Sequence, residues 1–316
     1  MICYGEPLPL QGYDGHWSTL IFGNFNESSV ISKNSFPGNT FENVQISGSL
    51  TLESIESGFL HGSENVLKQL TIIGNYELKN FDFADLQNFP NLQSLEFSWT
   101  GLELLPSGTI WPDSLREIRM EGNQYLQSIE SHTFSHAYGL QLLHLSDGPL
   151  IHIKSNGLHS KSRLDKELKL SRYNDVIYDS NAFGNVDGGE LWQNISIQTK
   201  DFNQEAFRLM LKTHFDKGHQ SLFSINYGTA LAKSCSSCDI AWLYKDAHKF
   251  GLDNYKNLIG QGNVVCPEGI GSILETTDPD FITLMESCPC KLKSNPNAPN
   301  LQIIINFSFR SGYALA

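Results

Sequence analysis

Leucine and its apolar substitutes return in this chain at a fixed interval, in the frame L-x-x-L-x-L-x-x-N. The clearest copies are LKQLTIIGN from Leu67, LQSLEFSWT from Leu92, LREIRMEGN from Leu115 and LQLLHLSDG from Leu140. A unit of this length cannot bury its apolar side alone. It must stack on copies of itself, which constrains the chain to a solenoid. The middle apolar position falls at Val44, Leu70, Leu95, Ile118, Leu143, Leu168 and Ile195, in steps of 23 to 27 residues. Two residues on stand Ile46, Ile72, Phe97, Met120, Leu145, Leu170 and Ile197. Spacing of two sends both side chains to one face of a short strand. A third column is read at Phe59, Leu86, Ile110, Phe134, Leu158, Phe183 and Phe207.

The asparagine of the frame is present at Asn75 and Asn123 and replaced by Thr100, Gly148 and Tyr173, which predicts irregular repeats on the same fold. Leu20 and Phe22 stand 24 residues before Val44 and Ile46 and are in register to start the stack. After Ile197 the frame slips. Phe202, Ala206, Leu209 and Met210 share one face at helical spacing, and SLFSINY reads as a last strand.

The formal net charge of the 316 residues is −12, and basic residues do not cluster; both disfavour a surface that tracks nucleic-acid phosphates. No stretch approaches the ~18 apolar residues of a membrane span. The start, MICYGEPLPLQGYDG, lacks the basic and apolar regions of a secretory leader. Five of the six cysteines (Cys235, Cys238, Cys266, Cys288 and Cys290) follow the repeats, and Cys3 stands apart. An open solenoid end needs a cover, and CSSCDIAWLYKDAHKFG offers a short amphipathic helix for it. Two chemistries fit these cysteines: disulfide bridges in an oxidising compartment, or a zinc site halved between Cys235-x-x-Cys238 and Cys288-x-Cys290. The one-residue gap of the second pair fits zinc poorly.

A cysteine pair running into DIAWL, then VVC, DPDF and a final cysteine, resembles the C-terminal cap of extracellular leucine-rich-repeat proteins. With the repeats, the resemblance covers about residues 41 to 290. More narrowly, CDIAWL beside loose repeats is similar to secreted arthropod proteins related to the non-catalytic leucine-rich-repeat subunit of decapod shrimp luciferase. The resemblance implies an α/β leucine-rich-repeat solenoid with a curved parallel sheet, an irregular or short-helical convex side and a disulfide-bonded cap. It implies the bridges Cys235–Cys266 and Cys238–Cys288, with Cys238–Cys290 open as an alternative because of the extra Cys290. Each bridge would close a loop worth roughly 3–4 kcal/mol. The organisation expected is an N-terminal flank or truncated cap over 1–40, repeats over 41–222, a cysteine-rich cap over 223–290 and a disordered or foreign tail over 291–316. Disulfides would make the protein secreted, with its N-terminus incomplete. The sequons at Asn26 and Asn194 are then candidate glycosylation sites; a third stands at Asn306 in the tail.

Function is expected on the concave strands, where the residue between the two core columns faces outward. That row reads Thr71, Glu96, Arg119, His144 and Lys169, with Glu117 in the column on one side and Ser98, Glu121 and Ser146 in the outward column on the other. Ile73 and Leu142 are apolar where water is expected, which marks a contact patch. Motifs of known chemistry are lacking: no G-x-S-x-G, H-E-x-x-H, P-loop or dinucleotide fingerprint is present. His132 and His136 stand four apart, but Phe134 between them belongs to the core column and no third ligand follows. His152, like His144, reads as a surface hydrogen-bonding residue, and Asp278 or Asp280 as a helix cap in the cysteine-rich segment. The expectation is a non-catalytic protein without cofactor or metal, binding a protein or glycan. Its alternatives are an accessory subunit of a secreted enzyme and a fragment of a matrix or receptor ectodomain.

Overall fold

The computed structural model describes residues 2–4, 15–23, 29–33, 35–162, 167–171, 175–184, 194–198, 206, 222–226, 263–265, 273–275 and 304–306. Among them, ten strands run parallel in one long sheet. In chain order these are Ile2–Tyr4, Gly15–Gly23, Asn39–Ser47, Gln69–Ile73, Ser94–Ser98, Glu117–Glu121, Leu142–Ser146, Glu167–Ser171, Asn194–Gln198 and Leu222–Asn226. Each pairs with the strand of the next coil, so the chain is a parallel-sheet solenoid of the leucine-rich-repeat kind. The register follows the columns: Leu20 stands opposite Val44, Val44 opposite Leu70, Leu70 opposite Leu95 and Leu143 opposite Leu168. Both columns are sealed from water as far as Leu170, and the frame leucines Leu67, Leu92, Leu115 and Leu140 are buried beneath them. Ile304–Asn306, in the tail, pairs antiparallel with Asn263–Val265.

The opposite side carries strands as well. Val30–Ile31, Ser54–Ile55 and Asn80–Phe81 form one small parallel sheet; Leu104–Leu105, Ser128–Ile129, Leu150–Ile153 and Asp175–Tyr178 form another. Among the described residues, the helical element there is a single 3-10 turn, Phe83–Asn88, capped by the Asp82 side chain. These strands add a buried column: Ile31, Ile55, Leu105, Ile129, Ile153 and Tyr178, with Phe81 half-buried. The two small sheets do not join. Between them lies a crevice of about 740 Å³, lined by Ile55, Phe81, Phe83, Leu104 and the polar residues Glu56 and Lys79 among others.

One residue of the third column is corrected. Ile110 is 52% exposed, and its neighbour Trp111 is buried instead. Trp111 stacks on Phe134 at 5.6 Å between ring centroids, packs edge-on to Phe83, and donates its indole N–H to the Thr133 carbonyl at 2.7 Å. The larger ring fills the space between coils, and its one polar atom has a partner. Phe59, Leu86, Leu158 and Phe183 stand in the core as expected. The expected helix around Phe202 lies outside the described residues except for Ala206, which is buried.

Two buried asparagines tie the coils together. Asn75 accepts from the Ser49 backbone N–H and donates to the Ile46 and Ile73 carbonyls. Asn123 accepts from both the N–H and the hydroxyl of Thr100 and donates to the Phe97 carbonyl. The residue just before this column is left-handed in five successive coils: Gly48, Gly74, Trp99, Gly122 and Asp147, with φ from 56 to 71°. The chain leaves the strand there in a turn that L-residues other than Asn and Asp resist.

Candidate functional site

The expected row assembles on the long sheet. Thr71, Glu96, Arg119, His144 and Lys169 stand opposite one another on five adjacent strands. On one side run Gln69, Ser94, Glu117, Leu142 and Glu167, in the same register. On the other, Ile73 faces Ser98 and Glu121 faces Ser146. The alternation that buries the two core columns turns these side chains outward. Adjacent strands lie about 4.8 Å apart, so the row forms an evenly spaced ladder of polar groups.

Local pairs set its charge. Arg119 is ion-paired with Glu117 two residues earlier on its own strand, and Lys169 with Glu167 at 3.1 Å. Such exposed pairs contribute about 0–1 kcal/mol, so they orient the side chains more than they stabilise the fold. The Ser98 hydroxyl donates to Glu96 at 2.9 Å. His144 lies between Arg119 and Lys169. Burial first, and then these two cations, hold its imidazole below the usual histidine range, which favours the neutral ring at neutral pH. Ile73 and Leu142 are half-buried, so each keeps part of its apolar surface in contact with water. Ser98 and Ser146, expected to face water, are instead 1% and 3% exposed. They lie at strand ends, beside the left-handed turn.

The arrangement offers hydrogen bonds, paired charges and two apolar points in one regular register, which is chemistry suited to recognition. The other candidates are dispersed. His132 sits in a turn with φ 61° and bonds Ser135; His136 lies near the Tyr138 ring. Among the described residues, no group of three His, Cys, Asp or Glu side chains is arranged to hold a metal. His152 bonds Asp179 at 2.8 Å on the side away from the row. Burial pushes the Asp179 carboxyl up, but hydrogen bonds from His152 and Ser155 outweigh it and hold the group below the ordinary carboxylate range. Asn194 stands on its strand opposite Glu167. The sequon at Asn26 and the cysteines Cys235, Cys238, Cys266, Cys288 and Cys290 lie outside the described residues. No described helix is long and apolar enough to cross a membrane.

Sequence reasoning passed over the rim of this face. Large apolar side chains stay exposed just after the strands of four successive coils: Leu50, Tyr76, Trp99 and Tyr125. The frame assigns these positions no role, so only the aromatic character of Tyr76, Trp99 and Tyr125 could have singled out the rim.

No family model and no curated protein matches the chain. Among solved structures, the chain is similar to one described as the crystal structure of a TLR13–ssRNA13 complex, at 16% sequence identity and a TM-score of 0.49. That match covers 66% of this chain and 28% of the other, and the RNA belongs to that complex.

Proposed function

We propose that this is a secreted, non-catalytic binding protein that recognises a protein or glycan ligand on the outward face of its long sheet. The observation that supports this most is the in-register row Thr71–Glu96–Arg119–His144–Lys169, flanked by Ile73, Glu117, Glu121 and Leu142. A hydrogen-bonded sheet holds these groups in place before a ligand arrives, so little ordering entropy is lost on association. Secretion rests on the cysteine pattern after the repeats. It is tested by intact mass before and after reduction, which should open at least two disulfides mapping to Cys235, Cys238, Cys266 and Cys288.

The binding face is tested by affinity capture from native tissue with the wild type and with the double variant Arg119→Glu, Lys169→Glu. Both substitutions lie on exposed or half-exposed positions and leave the core intact. The ligand kept by the wild type should be lost by the variant; equal capture would refute the reading. The CDIAWL segment supports a second reading, an accessory subunit of a secreted enzyme. In that case the captured partner is an enzyme in stoichiometric amount.

A further inference from the structure

We propose that the rim beside the binding face, centred on Trp99, is a stacking platform for an uncharged oligosaccharide. This deepens the reading above, and rests on it, by naming a ligand class. The turn after each strand requires a left-handed residue, and four of the five coils supply glycine or aspartate: Gly48, Gly74, Gly122 and Asp147. The remaining coil has Trp99, at φ 56°. A bulky side chain is disfavoured in that region, and nothing in the turn itself calls for an indole. Nor is the ring there to fill the core, because 36% of the residue remains exposed.

The next coil is shaped to receive it. A Cβ on Gly122 would fall 2.4–2.6 Å from the ring atoms Cδ2, Cε2 and Cε3 of Trp99. The indole therefore rests directly on the Gly122 backbone, a seat that only glycine leaves open. The Trp99 backbone N–H donates to the Glu121 carbonyl at 2.6 Å and fixes the turn below. Tyr76, 46% exposed, stands one coil before and Tyr125, 50% exposed, one coil after, with Leu50 one coil further out. Coils repeat about every 4.8 Å. Exposed rings thus follow the strands of three successive coils, a spacing that suits a chain of flat pyranose rings.

Charge narrows the class. Glu77 follows Tyr76, Glu121 ends the strand of the coil after Trp99, and Asp147 occupies the equivalent turn two coils after Trp99. Carboxylates at these places repel sulfated or carboxylated glycans and leave neutral ones unaffected. Aromatic faces attract the C–H faces of sugars, while the hydroxyl edges remain free for polar neighbours such as Gln124.

The test is calorimetric titration of the full chain with cellohexaose, chitohexaose and a heparin-derived hexasaccharide. At least one neutral hexasaccharide should bind, and the heparin fragment should not. Trp99→Asn is the informative variant, because asparagine suits a left-handed backbone. It should melt at or above the wild-type temperature, yet bind the neutral sugar weaker by on the order of tenfold or more. Ile110→Ser, on an exposed ring-free site away from the rim, should bind as wild type. Binding unchanged in Trp99→Asn, or no binding of either neutral hexasaccharide, overturns the proposal. A chain that binds no neutral sugar but keeps its tissue partner through Arg119 and Lys169 sinks this inference alone.

Discussion

Replacing Asn123 with alanine probes the tie between coils directly. The residue is 2% exposed, and its amide makes three short bonds: to the Phe97 carbonyl at 2.7 Å, from the Thr100 N–H at 2.8 Å and from the Thr100 hydroxyl at 2.7 Å. Alanine leaves the Phe97 carbonyl and the Thr100 N–H without these partners in a space sealed from water. Each such loss costs about 1–3 kcal/mol. The hydroxyl can rotate to another acceptor, so it adds little. The expected destabilisation is roughly 2–6 kcal/mol, a large share of the stability of an ordinary domain. Asn91→Ala is the matched control. Its amide also bonds a carbonyl of the preceding coil, Asn65, at 2.7 Å, but on the exposed surface. There water replaces the bond, and the expected change is within about 0.5 kcal/mol. Urea unfolding followed by circular dichroism gives both values, and hydrogen exchange at the Thr100 amide locates the effect. A loss for Asn123→Ala no larger than for Asn91→Ala would refute the claim that buried amides bind the coils together.

Three further outcomes are expected. Trp111→Ala should destabilise by about 3–5 kcal/mol, as for a buried aromatic, while Ile110→Ala changes stability by about 0.5 kcal/mol or less; thermal melts of the two distinguish the corrected column from the one first read. The His144 pKa is depressed in the folded chain, so its contribution is fully present above the unfolded value of about 6.5 and is lost as pH falls through the folded one. The wild type should therefore lose stability relative to His144→Gln on acidification in that window, and an NMR titration of His144 should move toward the ordinary value in Arg119→Ala. Asp179 is depressed too, so its contribution is present above about pH 3.9 and disappears as pH falls through the lower folded value. The stability gap between wild type and Asp179→Ala should close on acidification over that range, and a gap that widened would reverse the assignment.

Period-2 alternation inside each unit made the long sheet readable from sequence, because one error of register would have exposed every leucine at once. The same constraint placed Thr71, Glu96, Arg119, His144 and Lys169 on one outward row. What escaped was governed by shape rather than period. Between Ile110 and Trp111, spacing alone favours the isoleucine; the choice is made by the size of the gap beside Phe134 and by a carbonyl at Thr133 that the indole can reach. The two-residue strands opposite the long sheet are too short to show alternation. Their signal was a further column, Ile31, Ile55, Phe81, Leu105, Ile129 and Ile153, keeping the same beat. Ser98 and Ser146 are buried at the last position of their strands, next to the left-handed Trp99 and Asp147, where strand alternation ceases to apply.

The crevice between the small sheets gives the solenoid one unequal seam. On the long-sheet side, Gln69–Ile73 and Ser94–Ser98 are paired along their whole length. On the other side the same two coils share no strand pairing, since Asn80–Phe81 and Leu104–Leu105 each close a different sheet. Among the described residues, Phe83 packs edge-on to Trp111 across this boundary, but a bend that opens the convex edge there breaks no strand pairing. A ligand gripping both Gln69–Ile73 and Ser94–Ser98 would feel that compliance, and one confined to the coils on either side of their boundary would not.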